Sequence, residues 1–226
     1  MIATQDRDDA IWQEIRTQLP QVERADILVG LPSFNNAETV KPVVQAVTTG
    51  LRKAFPSARV LLVNQDAGSQ DRTPELMKGA VEDRFPIALL NRTASGASGT
   101  ESFSRLSGAW PAQEAFHTFL FATKQAGATA CAVIDPAVRS VTPEWIDWLL
   151  SPIMESRAEY VAPLFLRPRY EGSLTNTLVY PVNRALYGSS MRYHAGGGCG
   201  ISGPLAGLYV EQPFWDERAV RGSLDA

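Results

Sequence analysis

Short apolar runs, each followed by a polar loop and a helical pattern, dominate this chain of 226 residues. The apolar runs occupy 26–31, 59–63, 85–90 and 130–134, and the helical spacing covers 40–51, 73–81, 111–125 and 142–153. Strands that alternate with helices form parallel sheets with helices on both faces. The pattern therefore predicts an α/β fold with its ligand site at the carboxyl ends of the strands.

The flanking segments complete the expected organisation. An amphipathic pattern from Asp8 to Leu19 predicts a lead-in helix within residues 1–24, and residues 25–226 are expected to form one domain. Its first half, 25–137, carries the nucleotide-binding strands, and 138–226 forms an acceptor half that ends early. In that second half we expect a helix starting at Thr142-Pro143-Glu144. We also expect a strand over 159–166, a helix over 174–187 interrupted near Pro181, a glycine tract at 196–200 and a helix over 203–210.

Composition excludes several classes of function. A net charge of −3 without a cluster of basic residues argues against nucleic acid as a partner. The longest apolar stretch, 116–134, contains His117, Lys124 and Gln125, so no transmembrane segment is expected. Cys131 lies in an apolar run and is expected to be a buried, reduced side chain. With no recognisable signal peptide, this favours a cytoplasmic protein.

Two polar loops and one carboxylate follow the predicted strands. Pro32-Ser33-Phe34-Asn35-Asn36 follows the first, Asp66-Ala67-Gly68-Ser69 comes after the second, and Asp135 closes the fourth. Asn and Ser are ordinary turn formers and helix caps, which is one interpretation of both loops. The other is a nucleotide pocket, in which Gly68 lets the backbone turn and Asp66 accepts a hydrogen bond from a base or ribose.

Taken together, these segments resemble the family 2 glycosyltransferases of the GT-A fold. Pro32-Ser33-Phe34-Asn35 and Asp66-Ala67-Gly68-Ser69-Gln70-Asp71-Arg72-Thr73 match two of their motifs. The resemblance extends to members acting on phosphoglycerate- or glycerate-like acceptors, through Asp135 to Trp145 and through Arg169 to Asn176. It implies a nucleotide-diphospho-sugar transferase-like domain with a mixed, mainly parallel sheet, a nucleotide-diphospho-sugar donor and a small anionic acceptor.

The resemblance also assigns roles to residues. Donor binding is implied for Pro32, Ser33, Phe34, Asn35, Asp66, Gly68, Ser69 and Asp135, and Asp135 would also be the ligand of a divalent cation, Mg²⁺ or Mn²⁺. Acceptor binding is implied for Arg139, Arg169, Thr175, Asn176, Arg192, Gly196 and Gly197. Arginines bind carboxylates and phosphates in a bidentate manner, although solvated surface arginines are the alternative interpretation of this set.

Three charged residues of the family pattern are missing. Ala137 stands where the second carboxylate of Asp-x-Asp is expected, 106–111 lacks a phosphate-side lysine, and Gly198 replaces an acid. We expect His194 and Glu171 to take over catalytic roles, and Asp225 is a further carboxylate that could enter the site.

Two hypotheses follow from this pattern. One is a glycosyltransferase, with a homodimer as a further expectation. The other is a catalytically silent relative that acts as a binding or assembly module. A nucleotidyltransferase is a weaker third reading, because the chain lacks a glycine-rich, lysine-bearing phosphate loop.

Overall fold

The computed structural model describes residues 2–82, 84–91, 113–164, 175–188, 197–212 and 215. Its helices and strands, in chain order, are α1 Ile2–Gln18, β1 Ile27–Ser33, α2 Val40–Ala54, β2 Val60–Asp66, α3 Thr73–Ala80, β3 Ile87–Asn91, α4 Gln113–Gln125, β4 Ala130–Ile134, α5 Glu144–Met154, β5 Tyr160–Val161, a π-helix Thr175–Val179, α6 Tyr180–Tyr187, β6 Gly198–Ser202 and α7 Gly203–Val210.

A six-stranded sheet in the order β3-β2-β1-β4-β6-β5 forms the centre of the fold. β1, β2, β3 and β4 run parallel, and β6 pairs antiparallel with both β4 and β5. The predicted mixed, mainly parallel sheet is confirmed. Its strands are apolar on both sides because helices cover both faces.

Strand alternation divides the core into two layers. Leu28, Leu61 and Val133 face the layer formed with α1, α4 and α7, and Phe119 of α4 is fully buried there. Ile27 and Leu62 face the opposite layer, formed with α2, α3 and α5. Side chains that alternate along a strand point to opposite faces, so each strand contributes to both cores.

No strand was expected across the glycine tract at 196–200, but residues 198–202 form the buried strand β6. A methyl group at Gly200 would collide with the carbonyl oxygen of Leu149 and lie 2.9 Å from Ile153 Cδ1. The glycine therefore allows α5 to pack directly onto the strand, a tertiary requirement that local sequence does not reveal.

Other boundaries also differ from the predictions. β1 continues through Pro32 to Ser33. Beyond Gly30 it pairs only with β2, so the missing N–H of Pro32 interrupts no hydrogen bond to β4. α5 begins at Glu144, with Pro143 and not Thr142 at the N-cap position. The expected strand over 159–166 is limited to Tyr160 and Val161, and residues 165–174 lie outside the described ranges.

Both cysteines are reduced and buried, as expected for Cys131. They lie on neighbouring strands, since Cys131 pairs with Ile201 and Cys199 pairs with Val133. Burial raises the pKa of the Cys131 thiol to about 12, so it stays protonated at neutral pH and packs as a small apolar group.

A buried polar pair connects α1 to α4. His117 Nδ1 lies 3.5 Å from Asp8 Oδ1, and both side chains are almost completely buried. The ring of Trp215 lies 4.8 Å from the His117 ring, centroid to centroid. No role was assigned to His117 from the sequence, and its surroundings identify it as part of this helix contact.

Candidate functional site at the carboxyl edge of the sheet

The ends of β1 and β2 are joined through the carboxylate of Asp66, which is 3% exposed. Oδ2 accepts hydrogen bonds from Ser33 Oγ at 2.8 Å and Ser69 Oγ at 2.6 Å. Oδ1 accepts from the backbone N–H groups of Gly68 at 2.9 Å and Ser69 at 2.6 Å. Gly68 has a φ of 89°, which lets the loop fold back over the carboxylate.

A second carboxylate, Asp71, joins the same two loops further out. Oδ2 accepts from the N–H of Ala37 at 3.0 Å, and Oδ1 accepts from the N–H of Thr73 at 3.0 Å and from its hydroxyl at 2.5 Å. Burial would raise the pKa of Asp71, but these hydrogen bonds outweigh it and the pKa is lowered. Asp71 is therefore held ionised at the start of α3.

Two asparagines, Asn35 and Asn36, also connect loop 33–37 to loop 66–73. Asn35 adopts a φ of 51°, donates its N–H to Ser69 Oγ at 2.9 Å, and accepts from the N–H of Gln70 at 2.9 Å. Asn36 donates its N–H to Thr73 Oγ1 at 2.7 Å and accepts from the N–H of Phe34 at 2.8 Å. These residues do act as turn formers, and in doing so they make the two loops one rigid unit.

Three hydroxyl groups of this network both donate and accept hydrogen bonds. The hydroxyls of Ser33, Ser69 and Thr73 each donate to a carboxylate. Each also accepts from an N–H group, of Asn64 Nδ2, Asn35 and Asn36 respectively. Because each hydroxyl has both a donor and an acceptor partner within the chain, the two loops are connected without any ligand.

This unit lies at the point where the strand order reverses. β2 and β3 lie on one side of β1, and β4 lies on the other. In open α/β sheets the crevice outside the strand ends at such a switch point is where ligands bind. From this topology we take the loops 33–37 and 66–73 as one wall of the crevice, and the loop after β4 as the other.

Asp135 is the first residue of the loop after β4. Its Oδ1 accepts from the N–H of Ala137 at 2.8 Å, and its own N–H donates to the carbonyl oxygen of Gly197 at 3.0 Å. Burial raises the pKa of Asp135, against the lowering effect of the Ala137 hydrogen bond. The structure thus brings the predicted residues Asp135 and Gly197 together next to the switch point.

The described residues alone do not make up a divalent cation site. Asp135 supplies one carboxylate, and Ala137 offers no oxygen from its side chain. Within the described ranges, no group of three His, Cys, Asp or Glu side chains is arranged to hold a metal ion. Any cation here would need ligands from phosphates or water, or from residues outside those ranges.

Gly198, which stands where the family pattern has an acidic residue, lies inside β6. It pairs with Ile134, and a methyl group there would approach the carbonyl oxygen of Val133 at 3.0 Å and Trp145 at 3.7 Å. A carboxylate at this position would be buried in the sheet. The structure gives no room for the pocket-facing acid that the sequence match suggested at 198.

Arg139 lies in the loop after β4 and reaches Glu38, which directly follows loop 33–37. Its Nη2 lies 3.3 Å from Glu38 Oε2, and both side chains are largely exposed. An open groove of about 290 Å³ runs beside this pair, and its lining residues are Glu38, Thr39, Pro42, Val43, Arg139 and Val141. The sequence did not predict that Glu38 would pair with Arg139.

The remaining predicted residues are placed only in part. The backbone of Thr175 and Asn176 forms the start of the π-helix. The remaining predictions fall outside the described residues, namely Arg169, Glu171, Arg192, His194, Gly196 and Asp225. Their roles stay predictions.

No helix in the described part of the chain is long and apolar enough to cross a membrane. No protein-family model matches the sequence, and no curated protein matches it.

Solved structures do match the fold. Glucosyl-3-phosphoglycerate synthase from Mycobacterium tuberculosis in complex with phosphoglyceric acid aligns with a TM-score of 0.53 and 18% identity, over 85% of this chain and 61% of that chain. The same enzyme in complex with Mn²⁺, UDP-glucose and phosphoglyceric acid aligns with a TM-score of 0.53 and 18% identity, over 85% and 60% of the two chains.

Mannosyl-3-phosphoglycerate synthase from Rubrobacter xylanophilus aligns with a TM-score of 0.56 and 18% identity, over 86% of this chain and 57% of that chain. The chain thus spans about three fifths of the length of these structures. At such low identity the likeness defines the fold and not the reaction. This chain has the GT-A glycosyltransferase fold.

Proposed function

We propose that this chain binds a nucleotide-diphospho-sugar in the switch-point crevice and transfers the glycosyl group to a small anionic acceptor. The observation that carries the proposal is the hydrogen-bonded unit of loops 33–37 and 66–73, centred on Asp66. A rigid, pre-ordered wall at the carboxyl ends of parallel strands lowers the cost of ordering a ligand there. Structures of the same fold hold UDP-glucose and phosphoglyceric acid.

In this proposal the loops position the nucleoside, with Phe34, Asn35 and Ser69 on the wall of the crevice. Asp66 orders that wall, because its carboxylate is saturated by internal hydrogen bonds. Asp135 lies on the diphosphate side, where its Oδ2 is left for a ligand after Oδ1 accepts from Ala137. Arg139 attracts the anionic acceptor, and Glu171 and His194 are the candidate catalytic groups.

A divalent cation would supply charge stabilisation of the leaving diphosphate when bound. Asp135 is the residue proposed to hold it. Because Asp135 is a single carboxylate, we assign no catalytic step to the cation. Binding of the donor through the loops does not depend on it.

The alternative function is a silent GT-A relative that binds or assembles without transferring a sugar. The observation that favours it is Ala137, whose exposed side chain stands beside Asp135 where a second carboxylate is expected. In that case nucleotide binding persists and turnover does not. Turnover of any sugar donor by the natural sequence would rule this alternative out.

Calorimetric titration with UDP-, GDP- and ADP-glucose, each with and without Mn²⁺ or Mg²⁺, tests the proposal. We expect one nucleotide sugar to bind. With Mn²⁺ present, Asp135→Asn should weaken that binding about tenfold, because it removes the carboxylate proposed to hold the cation beside the diphosphate. Asp147→Asn is the matched control, since Asp147 is exposed on α5. If none of the three nucleotide sugars binds under any condition, the proposed function is wrong.

A further inference from the structure

The side chain of Gln65 is the buried polar group at the carboxyl edge whose hydrogen bonding is incomplete. Gln65 is 6% exposed, and within the described residues its Oε1 is buried and accepts no hydrogen bond. Its neighbours along β2 are fully engaged: Asn64 Nδ2 donates to the carbonyl oxygen of Leu31 and to Ser33 Oγ, and Asp66 accepts four hydrogen bonds.

The neighbouring strands do not supply the missing donor. Gln65 lies opposite Pro32 of β1 and Leu90 of β3, and neither has a polar side chain. Along β2, Gln65 lies on the same face as Leu61 and Val63, which pack in the layer of α1 and α4. The amide therefore ends an otherwise apolar row at the edge that faces the crevice.

An amide oxygen buried without a donor destabilises the folded state, and native structures contain few such groups. A leucine of similar size would avoid that cost. A glutamine is explained at this position if a bound ligand supplies the missing hydrogen-bond donor. Such a site rejects ligands that would leave the buried oxygen unpaired.

We propose that Gln65 selects the nucleobase of the donor, with Oε1 accepting a hydrogen bond from a ring or exocyclic N–H of the base. The inference rests on the proposed function, because it places the nucleoside beside the ends of β1, β2 and β3. Uracil, guanine and adenine all carry such an N–H group on their polar edge. A diphosphate carries no such donor, so Gln65 does not anchor it. Ribose hydroxyls can also donate to an amide oxygen but are the same in all three nucleotides, so only a hydrogen bond from the base makes the effect of Gln65 depend on the nucleotide.

The test uses the full chain and its Gln65→Leu variant, titrated calorimetrically with UDP, GDP, ADP and inorganic pyrophosphate. We expect the preferred nucleotide to bind about tenfold more weakly to the variant, while the other nucleotides and pyrophosphate change little. The ratio between the best and the poorest nucleotide therefore falls about tenfold. The matched control is Gln45→Leu, since Gln45 is exposed on α2.

Unfolding in urea provides a second readout. Gln65→Leu should keep or raise the unfolding midpoint, since it removes the unpaired oxygen. A lowered midpoint would mean that the chain itself supplies a donor to Gln65, and would overturn the inference. Unchanged nucleotide selectivity would overturn it too while leaving the proposed function intact, whereas a natural chain that binds no nucleotide would refute both.

Discussion

Ser33 Oγ donates a 2.8 Å hydrogen bond to Asp66 Oδ2 and thereby joins the carboxyl ends of β1 and β2. Ser33 pairs with Asp66 in the strand register as well, so this side-chain bond continues the backbone ladder. The two loops that follow inherit their relative position from it. The wall of the candidate site is thus an extension of the sheet.

Asp66→Asn should lower the free energy of unfolding by about 1–3 kcal/mol. Four donors converge on the carboxylate, and an amide would turn its own NH₂ group towards two of them. Urea unfolding followed by circular dichroism measures the change. Asp147→Asn, on the exposed face of α5, should stay within about 0.5 kcal/mol; equal effects at the two positions would contradict the assigned role of Asp66.

Gly200→Ala should destabilise the protein by about 1–3 kcal/mol, because its new methyl group would overlap the backbone of α5 at Leu149. Gly79→Ala is the control, since a methyl group there meets nothing within 4 Å and lies in α3. Helix propensity predicts that this control is neutral or stabilising by up to about 1 kcal/mol. Thermal unfolding of both variants distinguishes close packing from a general intolerance of alanine.

The buried pair Asp8 and His117 predicts opposite pH dependences for its two single variants. Burial raises the pKa of Asp8 to about 6, with a lowering effect from Arg7 and a raising effect from Asp9. Burial also lowers the pKa of His117 to about 4, helped by Arg7. Between about pH 4 and 6 the folded state therefore gains a proton at Asp8 and lacks one at His117, and the two effects on stability oppose each other.

Asp8→Asn leaves the histidine alone, so stability should fall as the pH drops from about 6.5 to 4. His117→Leu leaves the aspartate alone, so stability should rise as the pH drops from about 6 to 4. Each change should be on the order of 2 kcal/mol. Urea midpoints at pH 4, 5, 6 and 7 measure both trends, and parallel curves for the two variants would show that the pair does not titrate as described.

Ala137→Asp should strengthen Mn²⁺ binding, because the new carboxylate would lie beside Asp135 on an exposed loop. Gly198→Asp should instead cost more than about 2 kcal/mol of stability, because it buries a carboxylate in β6. Titration with Mn²⁺ and urea unfolding separate these outcomes. If Gly198→Asp folded with unchanged stability and bound Mn²⁺, the buried position of residue 198 would be wrong.

Local sequence was enough to predict most of the sheet. Apolar runs and helical spacing identified β1, β2, β3 and β4 and the helices between them, since these patterns follow from burial alone. β6 was not predicted, because two of its five residues are Gly198 and Gly200 and glycine is uncommon in strands. Its one hint was the alternation with buried Cys199 and Ile201, and the reason for the glycines lies in α5, about fifty residues earlier in the chain.

The sequence was enough to predict where the candidate site lies, but not which hydrogen bonds its residues form. The positions after each strand predicted where Ser33, Asp66 and Asp135 would gather. Which oxygen meets which donor depends on strand register and loop geometry, so the saturation of Asp66 was not foreseeable. Its predicted hydrogen bond to a base stays untested, and the isolation of Gln65 became visible only once Pro32 and Leu90 were placed beside it.

The most direct test of the proposed function is a crystal of the full chain soaked with UDP-, GDP- or ADP-glucose and Mn²⁺. We expect density for one nucleotide sugar in the switch-point crevice, with the nucleoside against loops 33–37 and 66–70 and the diphosphate beside Asp135. Soaking with the nucleotide that binds best in solution makes the result decisive. A nucleotide bound elsewhere on the molecule, with the crevice left open, would contradict it.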